Sequence, residues 1–132
     1  MTCVIDASLM VSYLIRDENS DLADPIVWNQ ATTVSHVPSL WLYEIASAFR
    51  LAELRKRITE EDTQIAMQGL KIMMVDHHHP STESILEISR QTGLTVYDAS
   101  YIALCLRDDL PLATLDKKLR SAAIELGIKV LV

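Results

Sequence analysis

Short β-prone runs alternate with longer helix-patterned stretches from one end of this chain to the other. CVID (Cys3–Asp6) opens as a strand, and from Ala7 to Arg16 the apolar residues Leu9, Met10, Tyr13 and Leu14 recur at helical spacing. A second helix is read over Leu22–Gln30, with Pro25 tolerated in its first turn. TTVSHVP reads as a strand, and Ser39 starts a long helix to Arg57. Thr59, followed by Glu60, Glu61 and Asp62, marks the start of a helix to Met73. Val75–His79 reads as a strand, Ser81 caps a helix to Gln91, and Gly93 marks its exit. Tyr97–Leu106 is a further helix, PLAT (Pro111–Thr114) a strand, Asp116–Glu125 a helix that Gly127 ends, and IKVLV a closing strand. Such alternation predicts the α/β class, with a parallel sheet covered on both faces. Three glycines and four prolines leave little room for linkers, so residues 1–132 are read as one domain.

Several function classes fall away. No run reaches the ~18 apolar residues of a membrane span. MTCVIDASLM lacks a basic leading segment and meets an acid at once, so it reads as a strand and not a signal peptide. Cys3 and Cys105 lie in apolar runs, as buried thiols of a reducing compartment do. A cytoplasmic protein is the expectation. The net charge of −6 argues against a general nucleic-acid coat protein, but leaves room for a nucleic-acid enzyme with a local basic face.

Four acids sit in apolar company: Asp6, Glu44, Asp98 and Asp116. Asp6 and Asp116 each end a strand and precede a helix, and ligand sites of open α/β sheets form outside the carboxyl ends of strands. Asp6, Asp98 and Asp116 each also suit a helix N-cap, worth about 1 kcal/mol. Glu44 lies inside a helix near its N-terminus, where the dipole alone favours an acid. Taken together, converging carboxylates repel one another unless a hard divalent cation joins them. Mg²⁺ or Mn²⁺ takes oxygen ligands, uses one or two carboxylates directly and keeps several waters. The chemistry this suggests is metal-assisted hydrolysis of a phosphodiester.

VIDAS near the N-terminus, the acid in SLWLYEIASAF, the acid in TVYDASYIALC and the TLD before a helix resemble the PIN-domain nucleases. Within that group the chain looks most like the VapC-type ribonuclease toxins of prokaryotic toxin–antitoxin pairs. The resemblance spans essentially the whole chain, with the acids at intervals of 38, 54 and 18 residues. It implies a PIN-like α/β/α sandwich around a mainly parallel central sheet. It also implies an endoribonuclease whose acids hold Mg²⁺ or Mn²⁺ and activate water to cut RNA. By position, Asp6 and Asp98 match the principal metal ligands. Glu44 and Asp116 match the other acids, which bind a second metal or order water. Ser8 and Thr114 match small hydroxyl positions beside the first and last acids, where local backbone hydrogen bonds are an equal alternative. The implied partners are the RNA substrate, a VapB-like antitoxin covering the site, and a second copy in a C₂ homodimer. DNA would be reached only through the antitoxin.

Basic residues cluster at Arg50, Arg55, Lys56 and Arg57, at Arg107, and at Lys117, Lys118 and Arg120. At helix ends they complement the dipole. Around an acidic pocket, Arg50, Arg55, Lys117 and Lys118 could instead take RNA phosphates. Trp28, Trp41, Leu42, Leu51 and Leu54 serve either the core or a groove for a partner helix. His77, His78 and His79 alternate across a strand and have no Cys nearby, so they are not read as a metal site, and His36 is read as a strand-end surface residue. Three rivals compete. A phosphoacceptor receiver domain needs paired acids at its first strand and an Asp near mid-chain, where this chain has HVPS. A haloacid-dehalogenase phosphatase needs a second Asp where Ser8 stands. A non-catalytic PIN-like scaffold is separated only by activity.

Overall fold

The computed structural model describes residues 1–132. Four strands, β1 (Val4–Ile5), β2 (Ser35–Pro38), β3 (Val75–His78) and β4 (Leu112–Ala113), form one sheet in the order β3-β2-β1-β4, every pair parallel. Seven helices flank it: α1 (Ala7–Ile15), α2 (Ser20–Asn29), α3 (Trp41–Leu54), α4 (Glu60–Lys71), α5 (Thr82–Thr92), α6 (Val96–Asp108) and α7 (Lys117–Glu125). This is the α/β/α arrangement that the alternating pattern predicts. No helix is long and apolar enough to cross a membrane.

Strands β1 and β4 are two apolar residues each, whereas β2 and β3 carry polar side chains. Val4, Ile5, Leu112 and Ala113 are fully buried. Helix α6 is the centre of the packing: it lies against β1, β2 and β4, and every residue from Ala99 to Cys105 is buried. A helix apolar all round must be enclosed, and α5 covers its outer side. Burying Ile102 or Leu104 contributes about 1.5–3 kcal/mol each. Cys3 and Cys105 are free and buried, and burial pushes both thiols up to about 12, so they stay protonated and inert.

Local signals worked where the chemistry was local. Thr59 and Asp62 make a reciprocal capping box on α4. Ser81 caps α5, and Gly93 ends it with φ 76°, a left-handed backbone that glycine adopts without strain.

Elsewhere the structure corrects the reading. Helix α2 begins at Ser20, so Pro25 sits in its second turn, not its first. Helix α3 starts at Trp41 and stops at Leu54, and Lys56 turns left-handed at φ 57°. The closing IKVLV forms only a single bridge, Val130 to Leu112, because β4 is two residues long. Trp41 is 1% exposed and belongs to the core, whereas Trp28, at 62%, does not. His36 lies within β2 and half-buried, not at a strand-end surface.

Candidate active site

Strands β1 and β4 are hydrogen-bonded neighbours, so the residues that follow them emerge side by side. Asp6 follows β1, and its N–H donates to the Ala113 carbonyl at 2.9 Å. It occupies the N-cap position of α1 but makes no side-chain cap bond. Instead Oδ2 accepts from Ser8 Oγ and from Thr114 Oγ1, each at 2.6 Å. The two hydroxyls read as companions of the acids therefore both hold Asp6. Asp116 does cap its helix, accepting from the Leu119 N–H at 2.9 Å, while its own N–H donates to Thr114 Oγ1 at 3.0 Å.

Asp98 does not cap α6. Thr95 does, accepting from the Asp98 N–H at 3.2 Å. The Asp98 carboxylate, in the first turn, is thus free of a capping duty. Glu44, in the first turn of α3, accepts from the Tyr101 hydroxyl at 2.5 Å. Tyr101 Oη in turn accepts from the Ala7 N–H at 3.3 Å. One buried phenol therefore joins the start of α1, the middle of α6 and the acid of α3. The sequence reading missed Tyr101. Its signal was the spacing of three from Asp98, which places both on one helical face.

The electrostatics tie the acids together. Burial is the main force raising the Asp6 carboxyl above its ordinary range; the bonds from Ser8 and Thr114 oppose it and the charge of Asp116 adds to it. Glu44 is raised by burial, against the Tyr101 bond and with help from Asp6 and Asp98. Asp98 is raised by burial and then by Asp116 and Asp6, with Lys118 the opposing cation. A set of oxygen donors that repel one another suits a hard divalent ion. No three of these acids bring carboxylate oxygens within 4.8 Å of one another; the one triad that close is His36, Asp76 and His78. An ion among the acids would therefore take few direct carboxylates and fill its shell with water, the habit of Mg²⁺.

Of the basic candidates, Lys117 and Lys118 open α7 beside Asp116. Arg50 and Arg55 are not gathered with the acids. Along α3 they lie roughly 9 and 16 Å beyond Glu44 at the helical rise, and Arg50 pairs with Glu53 at 3.3 Å. A shallow hollow lined by Leu40, Tyr43, Ser47, Leu51 and Tyr97 adjoins Glu44.

Two expectations follow. A group whose folded-state pKa is raised binds more protons folded than unfolded, so its contribution to stability is lost as pH rises through the folded value. In EDTA, the melting temperature should fall as pH rises from about 4, the unfolded carboxylate range, through the raised values of Asp6, Glu44 and Asp98. Mn²⁺ should restore it, and Asp6→Asn should flatten the slope; a slope unaltered by Asp6→Asn would contradict this. Tyr101→Phe should cost about 1 kcal/mol of stability and free Glu44 to move, visible in urea unfolding and in a weakened Mn²⁺ affinity.

The PIN domain family matches residues 3–125. The chain belongs to the PIN-domain family. Within it, the relatives are VapC proteins. Ribonuclease VapC1 of Mycobacterium tuberculosis is 31% identical over 122 residues, covering 91% of this chain and 90% of the relative. Ribonuclease VapC3 of Pyrobaculum aerophilum is 28% identical over 123 residues, covering 90% and 92%. Among solved structures, PAE2754 from Pyrobaculum aerophilum superposes with a TM-score of 0.73 at 21% identity, over 99% of this chain and 92% of that one. M. tuberculosis VapC20, described as a sarcin-ricin loop cleaving toxin, does so with 0.66 at 14% identity, over 92% and 95%. At those identities the structures speak for the fold alone.

Proposed function

We propose that this chain is a Mg²⁺- or Mn²⁺-dependent endoribonuclease acting as the toxin of a VapC-type toxin–antitoxin pair. The observation that carries the reading is the gathering of four acids from separate segments, three of them pushed up by burial and one another, with Lys118 the cation felt at Asp98. The ribonuclease relatives, matched over nine-tenths of their length, support the activity.

Asp6 and Asp98 are the principal ligands in this reading, with Glu44 and Asp116 completing the pocket. A divalent ion held there would lower the pKa of a water and offset charge building on the scissile phosphate. Ser8 and Thr114 keep the Asp6 carboxylate in one orientation, and Tyr101 does the same for Glu44. Such fixed supports are what a pocket built from mutually repelling groups requires. Lys117 and Lys118 take phosphates next to the cut. Arg50 and Arg55 meet only RNA that continues along α3.

The exposed apolar side chains of Tyr43, Leu51 and Tyr97 beside Glu44 suit an amphipathic segment of a VapB-like antitoxin, which would cover the acids. DNA would be reached only through that antitoxin. A C₂ homodimer and a cytoplasmic site of action complete the proposal. The test is cleavage of mixed cellular RNA by antitoxin-free protein in Mg²⁺, Mn²⁺ or EDTA. Discrete cuts in metal alone support the nuclease. Neither cutting nor Mn²⁺ binding would leave a binding scaffold as the reading.

A further inference from the structure

The three histidines of DHHHP and the lone His36 are not used by the four-acid pocket. Strands β2 and β3 run parallel with His36 opposite Asp76 and Pro38 opposite His78. Side chains alternate along a strand, so Asp76 and His78 share a face with His36, while His77 points to the other side, its ring 6.2 Å from that of Trp41. On the shared face, His36 Nδ1 and His78 Nε2 are 2.9 Å apart. The ligating atoms of His36, Asp76 and His78 all lie within 4.8 Å of one another.

We propose that His36, Asp76 and His78 form a binding site for one borderline divalent transition-metal ion of the Zn²⁺, Ni²⁺ or Co²⁺ class, separate from the four-acid pocket. Two imidazoles and a carboxylate are the donors such ions prefer, whereas Mg²⁺ favours oxygen alone. The nitrogen spacing fits. Metal–nitrogen bonds of about 2.0–2.1 Å meeting at a right angle put the two nitrogens about 2.9 Å apart, and a tetrahedral angle widens this to about 3.4 Å. Both histidines are half-buried and Asp76 is exposed, which leaves an entry path and open positions for water.

One contact gates the site. Arg107 Nη2 donates to His78 Nδ1 at 2.8 Å. Arginine can only donate, so the His78 proton sits on Nε2 and is given to His36 Nδ1. For Nε2 to ligate, that proton must move to Nδ1 and Arg107 must withdraw. No net proton is released, since neutral His78 only changes tautomer. Arg107 can leave: its side chain is 44% exposed and is already paired with Asp108 at 2.9 Å.

The experiment is calorimetric titration of the full chain with Zn²⁺ and with Ni²⁺, in excess Mg²⁺ to fill the acid pocket. One equivalent should bind. His36→Gln or His78→Gln should each weaken it at least about tenfold, and His77→Gln and Asp98→Asn should leave it unchanged. Arg107→Ala should tighten it, a gain that a misfolded variant cannot imitate. No binding, binding indifferent to His36→Gln and His78→Gln, or binding abolished by Asp98→Asn would each overturn the proposal. Failure of RNA cleavage would not touch it, because none of its ligands belongs to the four acids.

Discussion

Asp98→Asn is expected to abolish metal-dependent RNA cleavage while leaving the fold intact. Replacing a group that merely supports a metal ligand costs about 10–100-fold, so replacing a ligand should cost at least about 100-fold. The fold should survive because Thr95, not Asp98, caps α6. Removing a carboxylate that burial, Asp116 and Asp6 all disfavour should also relieve repulsion in the metal-free protein. The variant should therefore melt no lower than the wild type in EDTA at neutral pH, yet gain less from Mn²⁺. If Asp98 served only the helix dipole, the substitution would cost about 0.3–1 kcal/mol and cleavage would persist. Activity and melting temperature, measured on one preparation with and without Mn²⁺, separate the two.

Trp41→Ala is expected to destabilise the protein by about 3–5 kcal/mol, the largest stability effect foreseen for any single residue discussed. Trp41 is fully enclosed, and domains of this size hold only about 5–15 kcal/mol in all. Trp28→Ala, on an exposed side chain, should stay within about 0.5 kcal/mol. Trp41→Phe should cost less than Trp41→Ala. It leaves a smaller void, while both substitutions equally remove an indole N–H buried without an acceptor, a defect worth about 1–3 kcal/mol. Urea unfolding of the three variants checks the order, and equal losses for Trp41→Ala and Trp28→Ala would refute it. Because Trp41 seats the first turn of α3, its loss should also loosen Glu44 in that same turn.

What the sequence could disclose depended on the range of the interaction. Thr59, Ser81, Gly93 and Asp116 act within three or four residues, and their roles were readable from their neighbours alone. Asp6 and Asp116 could be placed side by side because each follows a strand, and neighbouring parallel strands end at one edge of the sheet. Asp98 misled as a cap because Thr95, three residues earlier, offered the better hydroxyl. Tyr101 was hidden by distance, since Glu44 lies 57 residues away along the chain. The pairing of His36 with His78 spans 42 residues and depends on the register of β2 and β3, which no local pattern encodes. Arg50 and Arg55 lie near Glu44 in sequence, but the helix rise carries them away from it.

The bond from Thr114 to Asp6 joins residues 108 positions apart, and it sits inside the pocket. A chain made from its N-terminus exposes VIDAS early but acquires Thr114 only 108 residues after Asp6. Contacts of such long range form late, after the local helices. A ribosome-bound or prematurely ended chain therefore carries Asp6 without the strand that orients it. The hydroxyl that orients Asp6 arrives only when the two distant segments meet, so Asp6 stays unanchored on that side until β4 has been made and docked.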